Sequence, residues 1–372
     1  MVQRALVVGG GIGGMSTAIS LRKRGIEVDL IDLDPQWRVY GAGITITGAT
    51  LRAFKALGIL EAVMEQAYTG EGIQICDVQG EPLHRVPTPV AEGSDTPGCG
   101  GIMRPILHKI LSALTLELGT QVRLGITVDG IESDAEGVNV KFSDGGTGRY
   151  DFLVGADGVF SRVRSLLFPD APRPQYTGQC VWRIVAPRPA SIDRRHFFLG
   201  GSGKVGLTPV SKTEMYLFYL ETTPKRAPLP DHELQTELRR LLQGYGGIVG
   251  ELRDTLGPQA SVVLRPLEGF LLPRPWQKGK AILIGDAAHP TTPQLASGAG
   301  LAVEDGLVLA EEIARTPVVE EAFDRFMERR YERCRLVVEN SLEIGRLEQQ
   351  CAPPEAQTRI VKESLEVLAQ PV

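Results

Sequence analysis

The stretch GDAAHPTTPQLASGAG, residues 285–300, sets one carboxylate, one histidine, two prolines and two late glycines ahead of a helix-like segment. It follows an apolar run, Ala281–Ile284, that reads as a buried strand. Asp286 places a carboxylate directly at the strand's end, His289 adds an imidazole, and Pro293 stiffens the loop. Gly298, Ala299, Gly300 and Leu301 then bring bare backbone to the start of a helical pattern through Val303–Ile313. Unsatisfied N–H groups at a helix start favour negative charge, so the segment pairs a hydrogen-bond acceptor with an anion-accepting end. His289 has the right type for a general base. In a loop this stiff, among only five histidines, it reads better as a hydrogen bond that fixes the loop.

A second such site opens the chain. RALVVGGGIGGMSTAISLRKRGIEVDLIDLD, residues 4–34, gives a strand at Ala5–Val8, glycines, a helix, and a second strand ending at Asp32. In Gly9-x-Gly11-x-x-Gly14, Gly9 permits the tight turn, Gly11 lets a pyrophosphate approach the backbone, and Gly14 allows close helix–strand packing. The helix start at Ile12–Gly13 faces the diphosphate, and Asp32 accepts from an adenosine ribose. Strand, glycines, helix and acid fall in register, so dinucleotide binding is expected. The motif does not separate NAD from FAD, which share the ADP half.

Further elements must position these groups. Gly41–Leu60 couples a Gly-rich extended piece to an amphipathic helix carrying Leu51, Phe54 and Leu57. Arg104 opens a helix with Leu107, Ile110, Leu111, Leu114 and Leu118 at helical spacing. An arginine there can take a phosphate or carbonyl bidentately, or lie on the surface. Residues 122–146 alternate like a strand meander. DFLVGADGVFSRVRSLL, residues 151–167, is another strand, turn and helix, with Asp157-Gly158 as the turn and Ser161 as a cap. From about 176 to 267 the chain is β-rich, interrupted by one charged amphipathic helix at 231–243. The expected division is 1–175 as the first part of the nucleotide-binding domain, 176–270 as an inserted sheet, and 271–372 as the second part with C-terminal helices.

Composition narrows the class. A charged content of 23%, an apolar content of 42% and a net charge of −5 argue against nucleic-acid or anionic-membrane binding. No apolar run reaches the roughly 18–20 residues of a membrane helix. Five scattered cysteines without a Cys-x-x-Cys pair fit reduced thiols in a cytoplasmic protein, with no metal site.

Three motifs in this order resemble the single-component FAD-dependent aromatic hydroxylases, the para-hydroxybenzoate hydroxylase-like flavin monooxygenases. They are the glycine fingerprint with Asp32, GADG at 155–158, and ILIGDAAHPTTPQLASGAGLAVED at 282–305. The similarity spans essentially the whole chain. It implies an α/β fold, with a Rossmann-like FAD-binding domain, an inserted, mostly antiparallel substrate sheet, and C-terminal helices. It also implies non-covalent FAD, NADH or NADPH as electron donor, and O2 as co-substrate. The same resemblance implies that a small aromatic or N-heteroaromatic substrate is hydroxylated through a flavin C4a-hydroperoxide. Epoxidation, oxidative decarboxylation or Baeyer–Villiger oxidation are alternatives on the same scaffold. A non-catalytic flavoprotein or a nicotinamide dehydrogenase are more distant readings. No second glycine fingerprint serves the nicotinamide, and the chain is expected to be a monomer or homodimer.

Carried over by position, Gly9, Gly11, Ile12, Gly13, Gly14, Asp32, Gly43, Arg104, Val128, Asp157, Gly158, Gly285, Asp286, Gly298, Ala299, Gly300 and Leu301 contact FAD. Asp286 takes the ribityl chain, and Pro293 lies near the ring and limits water. The chain departs from the family in having Asp32 where Glu is usual and Leu33 where a base often follows. Arg38 stands ready to replace that base. On the inserted sheet, Trp182, Phe198, Leu207, Tyr216 and Tyr219 are substrate-facing candidates. Arg183 is a candidate clamp for a substrate carboxylate or phenolate, with strand alternation allowing about half of these to face inward.

Overall fold

The structure is a computed structural model that describes residues 2–39, 41–88, 90, 96–224, 229–257 and 259–372. The apolar strands near both ends of the chain meet in one six-stranded sheet. Its order is Gln277–Lys278, Ala281–Leu283, Phe152–Gly155, Arg4–Val8, Glu27–Asp32 and Gln121–Leu124. All neighbours are parallel except the first pair, a short hairpin. Val7, Leu30, Val154 and Leu283 are completely buried, as expected for parallel strands covered on both faces. The last-arriving strand, Ala281–Leu283, therefore lies inside the sheet, and all three strand–loop motifs end on the same edge.

Helices Ile12–Arg22 and Gly298–Arg315 cross in close contact on this sheet. The approach depends on Gly306, because an added Cβ would stand 2.7 Å from the Thr17 backbone nitrogen.

A seven-stranded sheet packs opposite. Its order is Val263–Gly269, Gln175–Pro187, Glu214–Thr222, Lys204–Pro209, Arg195–Phe198, Ile73–Cys76 and Pro82–Val86. Only the Arg195–Phe198 and Ile73–Cys76 pair is parallel. The sequence division at 175 put residues 73–86 in the nucleotide-binding part. They instead extend the second sheet, a pairing across more than a hundred residues that no local pattern signals. Helices Asp231–Leu241 and Gly247–Thr255 close this sheet's outer face around a second core containing Trp182, Phe198 and Tyr219. Two three-stranded sheets complete the fold, Gly43–Thr47 with Cys99–Met103 and Tyr68–Gly70, and the meander Val128–Ser133, Val138–Phe142 and Thr147–Tyr150. The long helix Val319–Gln349 and the C-terminal helix Pro354–Ala369 pack across the base. Among the described residues no helix is long and apolar enough to cross a membrane.

Candidate active site

Both helix starts singled out in the sequence open into one cavity of about 870 Å³ between the two large sheets. Gly9 has φ +108°, and a Cβ there would meet the Ala156 carbonyl oxygen at 2.3 Å, while one on Gly14 would meet the Gly9 carbonyl oxygen at 1.8 Å. Nothing lies within 4 Å of a Cβ built on Gly11, whose backbone borders the open cavity. Neither helix is capped by a side chain. Ser297, at the cap position before Gly298, donates its hydroxyl to the Leu295 carbonyl at 2.8 Å instead. The first-turn N–H groups of both helices thus stay available to a ligand. The glycine cradle and the paired helix ends fit the diphosphate and the anionic ring edge of a flavin dinucleotide.

The acidic residues divide into distinct roles. Asp32 accepts the Gly10 N–H at 2.6 Å and the Asp34 N–H at 2.8 Å, which ties the second strand to the glycine loop. Asp286 lines the cavity and presents its side chain to the open space between the sheets. Desolvation raises its carboxyl above the ordinary aspartate range, with His289 and Arg104 pulling the other way. Asp157 has both oxygens engaged, by Ser161 Oγ at 2.5 Å, Arg162 N at 2.7 Å and Val163 N at 3.0 Å, so it caps helix Arg162–Leu167. Its neighbour Gly158 is the one that reaches the cavity.

Of the remaining FAD candidates, Ile12, Gly13, Gly43, Arg104, Gly285, Pro293, Gly298 and Ala299 line the cavity. Gly300 packs on Thr50, Leu301 is buried, and Val128 is fully buried in the main core, so these three support the site from behind. Arg38 pairs with Asp34 at 3.0 Å. Trp37, which the sequence reading passed over, covers Gly10 and donates Nε1–H to its carbonyl at 2.9 Å.

His289 is 1% exposed and its Nε2 lies 2.7 Å from Asp305 Oδ2, the same oxygen that accepts the Gly285 N–H at 2.9 Å. Arg330 Nε donates to Asp305 Oδ1 at 2.8 Å and its Nη1 to Glu304 at 2.7 Å. Burial alone would lower the imidazole's pKa, but Cys334 and Asp305 hold it well above the usual histidine value. Burial likewise works to raise Asp305, and His289 and Arg330 bring it down to about 2. His289, Asp305 and Cys334 stand close enough to resemble a cation site. Arg330 already supplies the positive charge there, making the cluster an anchor for the Gly285–Asp286 turn.

The second sheet supplies the opposite wall, and its register decides which candidates face inward. Arg183 and Tyr216 line the cavity. Trp182, Phe198, Leu207 and Tyr219 do not. They point into the second core beneath the two covering helices, where Trp182 Nε1 donates to Glu221 at 2.8 Å. Val181, Phe197, Phe218 and Leu220 also face inward, beside Arg183, Arg195 and Tyr216, and none of these four is among the candidates expected from the sequence. Tyr216 Oη lies 2.9 Å from Thr45 Oγ1, linking this wall to the strand beside the cavity. Gln294, next to Pro293, donates to Gln179 at 3.0 Å and Glu348 at 3.2 Å, and Glu348 also holds Lys204 at 2.8 Å.

Residues 3–343 match the model of the FAD binding domain family. The chain belongs to that family. The flavoprotein is 32% identical over 347 residues to the putative FAD-dependent monooxygenase YetM of Bacillus subtilis, covering 93% of this chain and 94% of that one. It is 31% identical to the aurachin C monooxygenase/isomerase of Stigmatella aurantiaca, over 92% of this chain and 89% of that one. In three dimensions it superposes on Klebsiella pneumoniae HpxO, solved with FAD and uric acid, with a TM-score of 0.85 at 24% identity over 99% and 97% of the two chains. The flavoprotein is an FAD-dependent oxidoreductase of the monooxygenase type, with the hydroxylase fold expected from its three motifs.

Proposed function

We propose that this flavoprotein uses NADH or NADPH and O2 to hydroxylate a small aromatic or heteroaromatic compound held between its two large sheets. The observation that carries this reading is the shared cavity. Two uncapped helix starts and a glycine cradle form one wall, and an aromatic sheet face carrying Phe197, Tyr216 and Phe218 forms the other. Similarity to a 2-heptyl-3-hydroxy-4(1H)-quinolone synthase of Pseudomonas aeruginosa and to an FAD-dependent urate hydroxylase of Klebsiella oxytoca supports a heteroaromatic substrate.

Bound FAD would supply the redox chemistry, passing two electrons from the nicotinamide to O2, so that one oxygen enters the substrate and the other leaves as water. The chain's own groups bind, orient and exclude solvent. Gly11–Gly13 and Arg104 would hold the diphosphate, Asp286 the polyol hydroxyls, and the Gly298 and Ala299 N–H groups the ring's electron-rich edge. Pro293, fixed through Gln294 to Gln179 and Glu348, would keep water from the ring. Four of the five free cysteines are buried, which supports a reducing, cytoplasmic setting.

The test is a purified protein with a yellow flavin spectrum, together with NAD(P)H oxidation across an aromatic panel and product mass analysis. Substrate-dependent oxidation and a product heavier by one oxygen are expected. A protein that takes up no FAD, or a rate unchanged by every compound, refutes the reading.

A further inference from the structure

Four arginines line the cavity, and three of them, Arg104, Arg183 and Arg195, neither donate a side-chain hydrogen bond nor form an ion pair among the described residues. The other cations differ. Lys204 is neutralised by Glu348, and Arg265 is exposed. A guanidinium carries five N–H donors and stays charged, so burying it without an acceptor is costly. Water can accept a hydrogen bond but cannot neutralise the charge. Each of these arginines therefore marks a place where an anion belongs.

Arg104 stands on the cofactor wall, with its Cδ against Gly41, at the start of helix Arg104–Glu117. Its anion is accounted for by the diphosphate. Arg195 is elsewhere, on the inner face of the second sheet, and its Nε is buried without a partner. Burial depresses its guanidinium, with Cys99 and Tyr216 opposing. It also borders a smaller pocket of about 100 Å³ beneath the C-terminal helix.

Beside Arg195 is a surface suited to a flat ring. Phe197, Gly206, Phe218 and Arg183 form one cross-strand row. The rings of Phe197 and Phe218 meet edge to face at 5.9 Å. They close over Gly206, where a Cβ would lie 2.4 Å from Phe218. The Arg195 guanidinium sits over the Phe197 ring at 5.1 Å, which orients it toward the same surface.

Resting on the enzyme reading above, we propose that the substrate is an aromatic acid, with its ring on Phe197 and Phe218 and its carboxylate on Arg195. A planar fork of donors matches a carboxylate's two oxygens. Arg183, at the other end of the phenylalanine row, serves a second polar substituent. In a chain of net charge −5, this wall also draws an anion inward.

The experiment measures dissociation constants on the FAD-loaded protein from flavin absorbance changes, and by calorimetry in parallel. The probes are benzoate against benzamide, nicotinate against nicotinamide, and quinoline-2-carboxylate against its amide. At least one acid is expected to bind about tenfold or more tighter than its amide, as for a charge-assisted pair. Arg195→Gln should abolish that preference while leaving amide and FAD affinity unchanged, and Arg195→Lys should restore part of it. Equal binding of every acid and amide, binding of none of the acids, or a preference that survives Arg195→Gln overturns the proposal. Calorimetry separates the two readings. Acid preference without bound FAD sinks the flavoenzyme reading alone, and FAD binding without acid preference sinks this one alone.

Discussion

Replacing Asp305 by Asn tests whether the buried charge cluster builds the cofactor turn. Three donors converge on that carboxylate, Gly285 N at 2.9 Å, His289 Nε2 at 2.7 Å and Arg330 Nε at 2.8 Å. An amide of the same shape offers one acceptor oxygen to all three, and its NH2 faces other donors. Asp305 and Arg330 are both 0% exposed, so water cannot repair the loss. Removing one member of a buried, hydrogen-bonded pair costs about 3–5 kcal/mol. Glu304 remains on Arg330 at 2.7 Å, which places the expected loss near the lower figure. Against the typical stability of about 5–15 kcal/mol, the variant should still fold. Its thermal midpoint should fall by roughly 4 °C for a chain of this size. The Gly285–Asp286 turn loses its anchor at the same time, so FAD affinity should drop by about tenfold or more, equivalent to about 1.4 kcal/mol. Urea unfolding of the apoprotein followed by FAD titration reads both quantities. A variant within about 1 kcal/mol of the parent, with unchanged FAD affinity, would show that the cluster does not hold the turn.

Other perturbations separate support from contact. Asp286→Ala removes a cavity-facing side chain that makes no hydrogen bond among the described residues, so apoprotein stability should change by less than about 1 kcal/mol while FAD affinity falls at least about tenfold; unaltered affinity on titration would remove Asp286 from the cofactor site. Gly306→Ala places a methyl against the Thr17 backbone, which cannot yield, and should cost about 1–3 kcal/mol in urea unfolding. The pH dependence follows from two opposite shifts. Asp305 is held down to about 2, so its contribution is present above its unfolded value near 3.9 and is lost as pH falls through about 2. His289 is raised, so its contribution is complete below about pH 6.5 and is lost as pH rises through its elevated folded value. Thermal midpoints should decline on the alkaline side in the parent and less steeply in His289→Gln, and identical slopes would contradict the assignment.

The cofactor wall was readable in advance because its demands are local. Each of Gly9, Gly11 and Gly14 answers to backbone a few residues away or to the adjoining strand, and the strand–loop–helix order is visible within about thirty residues. The substrate wall was not. Strands Gln175–Pro187 and Glu214–Thr222 are covered on both faces, by the cavity wall and by helices Asp231–Leu241 and Gly247–Thr255. Both faces therefore carry large apolar side chains. Alternation then specifies two faces without saying which is inner. Trp182 and Tyr219 lie outward, while Val181 and Phe218, their neighbours, face the cavity. RRHFFLG contains two adjacent arginines, and only register shows that Arg194 pairs with Asp193 while Arg195 turns inward. The Asp305–Arg330 anchor joins positions on two separate helices, a relation that only packing reveals.

The position of strand Ala281–Leu283 inside the parallel sheet, and of Glu348 behind Pro293, bears on how the protein is made. Everything up to residue 280 can leave the ribosome without a completed cofactor wall. At about 5–20 residues per second, the remaining segment takes several seconds more to emerge. Throughout that interval the glycine loop exists but the Gly298 helix, the Asp305 anchor and the Glu348 clamp do not. Cofactor capture therefore waits until synthesis has passed Glu348, and a nascent chain stalled before the long helix would present an open, apolar cleft to chaperones rather than to FAD.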